Sequence, residues 1–398
     1  MNIQKAASGL HSKFPKARDL MVSAATIVAV ICMTFDALQA DTKWTPSVDL
    51  TGTYNDNIQF TRTDPVDDYV YTLQPKLKVD YQQELTAIEA AGDVTIRRYQ
   101  DSDQMNDELY HFELNGKSNL TERSRLRGSY EFIKDTTLDS ELYEIGRIYT
   151  REDRISHEAK LAPSYNLNER MSIGLSGRYR YVSYDSNLFN DYSDKSIYLP
   201  LSWRLATQID TVYISPGYAY RESDLHHSKS YNLRIGWNHE STERLNLRFY
   251  IGARYTEYDN LATGDSENNW GGLGSLQLNY DFETGALKLD FRHDLQNTAA
   301  GNQVNLTRLI ARLRWYFTER VGTELIGRYY YTKNEGEDTN DSQQFYQGEV
   351  SLFYHFTENH IVFIAYQYSQ DHLEDNIQEE PRAEQNMIWA GVSLNFPM

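Results

Sequence analysis

A single cysteine, Cys32, leaves this chain without the means to form an internal disulfide, so something else must brace it. Nine prolines among 398 residues are too few for a proline-rich linker between domains. Positive charge is also scarce. Lysine and arginine number 39 against 57 aspartates and glutamates, a net charge of −18, which argues against nucleic acid as a partner. Beyond residue 40 no stretch approaches about 20 consecutive apolar residues, so no spanning helix is expected. Catalytic signatures are missing as well. "GLSG" around Ser176 lies within an alternating segment and not on a strand-to-helix elbow, and "WGGLGS" (270–275) has no helix after it to cradle a phosphate. The acidic run "DTNDSQQFYQGE" lacks the glycine and terminal spacing of a calcium loop. His226–His227 and "HFTENH" do not form a converging ligand set. No enzyme, metal or cofactor is therefore expected.

What the sequence does have is tyrosine and alternation. With 31 tyrosines, aromatics reach 13% although mean hydropathy is −0.66, and that is too aromatic for a disordered polyanion. In "WYFTERVGTELIGRYYYT" (315–332) the residues past the polar tripeptide fall into two sets. Val321, Thr323, Leu325, Gly327, Tyr329 and Tyr331 form one, and Gly322, Glu324, Ile326, Arg328 and Tyr330 the other. A period of two sustained over about ten residues is a strand with one apolar face. The same pattern recurs at 71–81, 171–181, 245–255 and 308–317, and about eighteen such segments fill the chain. Short turns such as "LTERS" (120–124), "LNER" (167–170) and "TER" (318–320) are expected to alternate throughout with long, acidic loops.

Short turns at one end and long loops at the other are the plan of an outer-membrane barrel. Closure leaves no unpaired backbone in lipid, and tilted strands of this length cross a bilayer. The expected fold is therefore all-β, a transmembrane antiparallel up-and-down barrel of about 18 strands, with short periplasmic turns and long extracellular loops. Tyrosines at strand ends are expected to form interfacial girdles. The first forty residues read as a signal peptide. Lys5, Lys13, Lys16 and Arg18 precede the apolar run from Leu20 to Phe35, and "DALQA" permits cleavage after Ala40. Cys32 lies inside this segment, behind Ile31, which does not suit a lipidation signal. The barrel would then occupy 41–398 as one domain.

If the apolar set meets lipid, the other set lines the lumen, and there bases outnumber acids. Guanidinium groups in a wetted pore favour anions, as permanent charges and forked donors. The candidate path residues are Arg178, Arg180, Arg248, Arg254, Arg308, Arg312, Arg314 and Arg328. Interior ion pairs also brace barrel walls, so no single arginine settles the matter. The loop 133–154 is charged enough to fold inward as a constriction.

The first strand and loop, "SVDLTGTYNDNIQF", with an aromatic shortly before "DNI", and the hairpin plan through to "GVSLNF", carry a resemblance. The chain resembles the β-barrel porins encoded in exopolysaccharide gene clusters, which include outer-membrane proteins of exosortase systems. That resemblance implies a component that helps a newly made polysaccharide leave the cell, beside a periplasmic polysaccharide export protein. Its other surroundings would be outer-membrane lipid and lipopolysaccharide. An acidic exopolysaccharide or capsular polysaccharide would suit the arginines. The competing expectation is an anion-preferring nutrient porin.

Overall fold

In the computed structural model, residues 41–398 are described, except 147–149, 187, 243, 262–263, 265, 302, 335–341 and 375–381. The leader expected over 1–40, and the acidic stretches within 335–341 and 375–381, lie outside the described residues. Eighteen strands close into one antiparallel barrel.

The first five strands are β1 Asp41–Asn55, β2 Asp68–Gln82, β3 Thr86–Tyr99, β4 Asp107–Asn119 and β5 Ser124–Thr136. The helix α1, Thr137–Ile145, and then β6, Asp153–Asn166, follow. Strand β7 comes in two pieces, Met171–Gly174 and Ser176–Tyr184, and so does β8, as Tyr192–Tyr198 and Leu201–Arg204. Next are β9 Asp210–Ser223, β10 His226–Thr242, β11 Leu245–Asn260, β12 Ser266–Phe282 and β13 Gly285–Asn297. The last five are β14 Gln303–Tyr316, β15 Val321–Asn334, β16 Ser342–His355, β17 His360–Glu374 and β18 Ala383–Asn395.

Each strand pairs with its sequence neighbours, and β1 closes on β18 from Ser47↔Asn395 to Asn55↔Met387. The seam continues past the last strand through reciprocal backbone bonds between Trp44 and Met398 (3.2 and 2.8 Å). The break in β7 and β8 falls beside Pro200, which has no N–H to give the ladder. Gly174 instead donates to the Pro200 carbonyl (2.9 Å), so the sheet bends there without opening.

The alternation assigns the faces. Ile235, Leu233, Ile251, Leu352 and Ile364 are exposed on the outside and form an apolar belt around the wall. Aromatic residues edge this belt at both rims. At the long-loop end Tyr218 meets Tyr231 (5.5 Å) and Tyr255 meets Trp270 (5.2 Å). At the short-turn end Phe282 meets Trp315 (5.4 Å).

Repeated turn chemistry shapes the short-turn rim. Thr121 Oγ1 accepts the N–H groups of Arg123 and Ser124, and Thr318 Oγ1 those of Arg320 and Val321. Asn168 does the same for Arg170 and Met171 through its Oδ1. The "TER" recurrence is thus a side-chain-capped turn. The opposite rim departs from strict expectation in one place. Only Asp224 and Leu225 join β9 to β10, because both strands run on where a long loop was expected.

Candidate functional site

The lumen is not uniform along its axis. At the long-loop end the inward side chains are buried, among them Val182, Leu306, Tyr330, Phe345 and Ala383. Toward the short turns Arg127, Arg248, Arg312 and Arg314 are exposed on the inner wall. The outer half is filled by chain segments that turn inward, while the inner half remains a vestibule.

Among the described residues, two of these segments carry the apolar clusters. The first is the corner between β1 and β2, which contains the "DNI" motif. Asp56 accepts from the Asn386 N–H and side-chain amide (2.7 and 2.8 Å), and Asn57 donates to the Thr61 and Glu384 carbonyls (2.8 and 2.9 Å). The motif therefore clamps this corner onto the start of β18. Ile58 and Phe60 then turn inward, with Phe60 in the left-handed region at φ 50.

The second segment holds α1. Its C-terminus is closed by Gly146, whose φ of 71 suits glycine and whose N–H donates to the Leu142 carbonyl (3.0 Å). Leu142 and Ile145 pack with Phe60, Leu306, Tyr330, Phe345 and Ala383. The polar groups of the helix reach walls on different sides. Asp139 takes Arg97 of β3 at 2.8 Å, and Glu141 accepts from the Tyr184 hydroxyl of β7 at 2.6 Å. Glu144 pairs with Arg180 of β7 and with Arg154 of β6 (3.2 Å). Opposite, Tyr330 of β15 donates to the Tyr143 carbonyl (2.6 Å) and Gln347 of β16 to the Tyr143 hydroxyl (3.3 Å). Strands β7 and β16 lie half a circuit apart, so α1 crosses the lumen.

Electrostatics fit this crossing. Burial works against ionised Asp139 and Glu144, yet the adjoining guanidiniums prevail. Arg97 holds Asp139 below the carboxylate range, and Arg154 with Arg180 hold Glu144 down at about 2. Glu141 is pushed up by its burial.

A Cβ on residue 146 would overlap Tyr330, and its φ is costly for any side chain. Gly146→Val should therefore loosen α1 by about 1–3 kcal/mol. Trypsin should then cut the segment between β5 and β6 in folded barrels many times faster than in wild type. Equal cleavage rates would show that this cap does not hold the helix.

Of the eight arginines singled out from sequence, six are tied down. Arg178 pairs with Glu158, Arg180 with Glu144, Arg308 with Asp290 (2.9 Å) and Arg314 with Glu324 (2.8 Å). Arg328 bonds Gln347 and lies 3.5 Å from Glu349, while Arg254, 1% exposed, donates to Asn305 (3.0 Å). Arg248 and Arg312 are exposed to the lumen without an ion pair among the described residues. The arginines do not form a ring. They occupy β7 through β15, whereas Asp49, Asp80, Glu89, Asp93, Glu113 and Glu131 face them from β1 to β5. Both sides carry ion pairs, as Lys76 with Asp49 (2.6 Å) and Lys78 with Glu89 (2.6 Å) show on the first strands. Sequence reading missed Arg154, fully buried beneath α1, because its strand begins two residues before the apolar alternation does.

Among the described residues no group of three or more His, Cys, Asp or Glu side chains could hold a metal ion. No curated protein matches the sequence. Solved barrels are similar in outline. OccK2 (OpdF) of Pseudomonas aeruginosa has 11% identity and a TM-score of 0.47, covering 90% of this chain and 98% of its own. OpdK of the same organism, solved with vanillate, gives 12% and 0.45, covering 90% and 99%. The ferric-catecholate import receptor Fiu of E. coli K12 gives 10% and 0.40, covering 88% and 81%. Residues 44–142, from within β1 through β5, the inward corner and most of α1, match the family described as Putative beta-barrel porin 2, and the chain is a β-barrel of the bacterial outer membrane.

Proposed function

We propose that the barrel carries an acidic exopolysaccharide or capsular polysaccharide outward across the outer membrane. The observation that carries this reading is the pair Arg248 and Arg312, exposed in the vestibule that opens on the short-turn side and without an ion pair among the described residues. That side is the periplasmic one in barrels of this plan. A polyanion delivered from the periplasm meets positive charge before it meets α1. Arg178, Arg308, Arg314 and Arg328 then extend the basic wall as members of ion pairs and hydrogen bonds that a passing carboxylate can share, while Arg180 and Arg254 are buried behind it. Such contacts are individually weak, so a polymer slides without being trapped. No bond is made or broken. A periplasmic polysaccharide export protein would deliver the chain, and the acidic outer loops would face lipopolysaccharide.

A second reading, an anion-preferring nutrient porin, is favoured by the inward course of α1, because porins narrow their pores with such a segment. Deleting the gene separates the two. On the export reading surface polysaccharide is lost, returns with the wild-type gene, and does not return with Arg248→Glu/Arg312→Glu. Unchanged polysaccharide with slower uptake of small organic anions would remove export and leave the porin.

A further inference from the structure

We infer that the vestibule holds a built subsite for a sugar carboxylate, a single hexuronate unit, between Arg127 of β5 and the wall formed by β8 to β14. This deepens the anion-path reading and rests on it. A cavity of about 580 Å³ lies against this wall, lined among others by Arg127, Arg248, Tyr213, Tyr250, Asn238 and Gln277.

Its floor is aromatic by construction. Tyr213 on β9 and Tyr250 on β11 both stand opposite Gly236 of β10 in the strand register. A Cβ at 236 would overlap the Tyr213 ring, so the ring lies over the glycine, back against the wall. Arg234, two residues along, sits 5.0 Å from the Tyr250 ring centre and backs it with a cation. The two rings thus form a platform that does not project across the vestibule.

The charge is asymmetric in a way that selects a ligand. Arg308 and Arg292 also border the cavity, yet each already has a carboxylate, Asp290 at 2.9 Å and Asp294 at 3.0 Å. Arg127 and Arg248 have none among the described residues and are exposed, and together they outweigh the one other charge of the lining without an ion pair, the exposed Glu240. Two free forked donors above an aromatic floor suit a carboxylate attached to a ring with apolar C–H faces. The guanidiniums take the carboxylate, the tyrosine faces take the ring, and Asn238 and Gln277 can meet hydroxyls. An inorganic anion would use the arginines alone and gain nothing from the floor. A neutral sugar would use the floor and leave the arginines unmet.

The test is calorimetric titration of the purified, folded barrel with glucuronate, glucose and acetate. Folding of every variant is checked by its heat-dependent shift on gels. Glucuronate should bind at least tenfold more tightly than either of the others. Arg127→Gln/Arg248→Gln should lose at least tenfold in glucuronate affinity. Tyr213→Ala/Tyr250→Ala should bring glucuronate down to the level of acetate while acetate itself is unaffected. Equal binding of glucuronate and acetate by wild type would overturn the subsite, as would wild-type glucuronate affinity in either double variant. The outcome is separable from export: a barrel that binds glucuronate while gene deletion leaves polysaccharide intact refutes the conduit and keeps the subsite. Loss of polysaccharide on deletion, with no binding preference, refutes only the subsite.

Discussion

Excising residues 138–148 and closing the gap with a short glycine–serine link should raise the single-channel conductance severalfold. Eighteen strands enclose an aqueous lumen unless something fills it, and here α1 is the element that crosses it. Its nine residues span about 13 Å at 1.5 Å each, a large part of a lumen this size. The wall should survive the excision, since every strand keeps its ladder partners and the seam between β1 and β18 is untouched. A second readout follows from charge. The excision removes three acids, Asp139, Glu141 and Glu144, against one base, Arg147, and leaves Arg97, Arg154 and Arg180 on the wall, so anion preference should rise as well. Conductance and reversal potential in a planar bilayer measure both. A folded, excised barrel with wild-type conductance would mean that current does not pass α1, and the crossing would then have no bearing on transport.

The wall of this barrel was legible because alternation is a property of sequence alone. A period-two pattern gives the face of a strand residue, and the alternating segments at 71–81, 171–181, 245–255 and 308–317 all fall on strands of an eighteen-stranded barrel. Face is not partner, however. Glu158 against Arg178 depends on how β6 and β7 align, and Asp290 against Arg308 on a diagonal across β13 and β14, so a count of inward bases overstated the free charge. Arg248 and Arg312 differ from their neighbours through register, which alternation does not specify. The helix was half legible. The segment 133–154 stood out as a charged loop able to fold inward, and Leu138, Leu142 and Ile145 recur at helical spacing within it. What it packs against was not visible, because Leu306, Tyr330 and Phe345 read as ordinary strand residues until the chain closes. The "DNI" corner is the converse case. Its residues stood out by resemblance, and only their contacts with β18 give the reason: the Asp56 carboxylate on Asn386 and the Asn57 amide on the Glu384 carbonyl set Ile58 and Phe60 into the lumen.

Glu144→Gln should release α1 at neutral pH without shortening the chain. Arg154 is fully buried, and its guanidinium has Glu144 at 3.2 Å, Asp135 at 3.5 Å and Glu141 at 3.7 Å. Glu144 is the closest of these, and it also holds Arg180, 9% exposed, on the next strand. Burial raises Glu141 toward its neutral form, so it is a poor substitute for the lost charge. Neutralising Glu144 leaves the buried Arg154 with only its longer contacts, and because the Glu144 side chain is 35% exposed the cost is about 1–3 kcal/mol, which undocking the helix relieves. The pH dependence has a definite sign. Glu144 is depressed to about 2 in the docked state, so its contribution is complete above the usual carboxylate range and is lost as pH falls toward 2. Glu141, raised in the docked state, works the other way and favours docking as it protonates. Wild-type conductance should therefore stay flat from neutral pH down to the carboxylate range and climb below it. The Glu144→Gln channel should start near the excised value at neutral pH and lack that climb. A Glu144→Gln channel with wild-type conductance and the wild-type acid profile would show that the helix is held by its apolar contacts with Phe345, Tyr330 and Leu306, and that the buried arginines tolerate the loss.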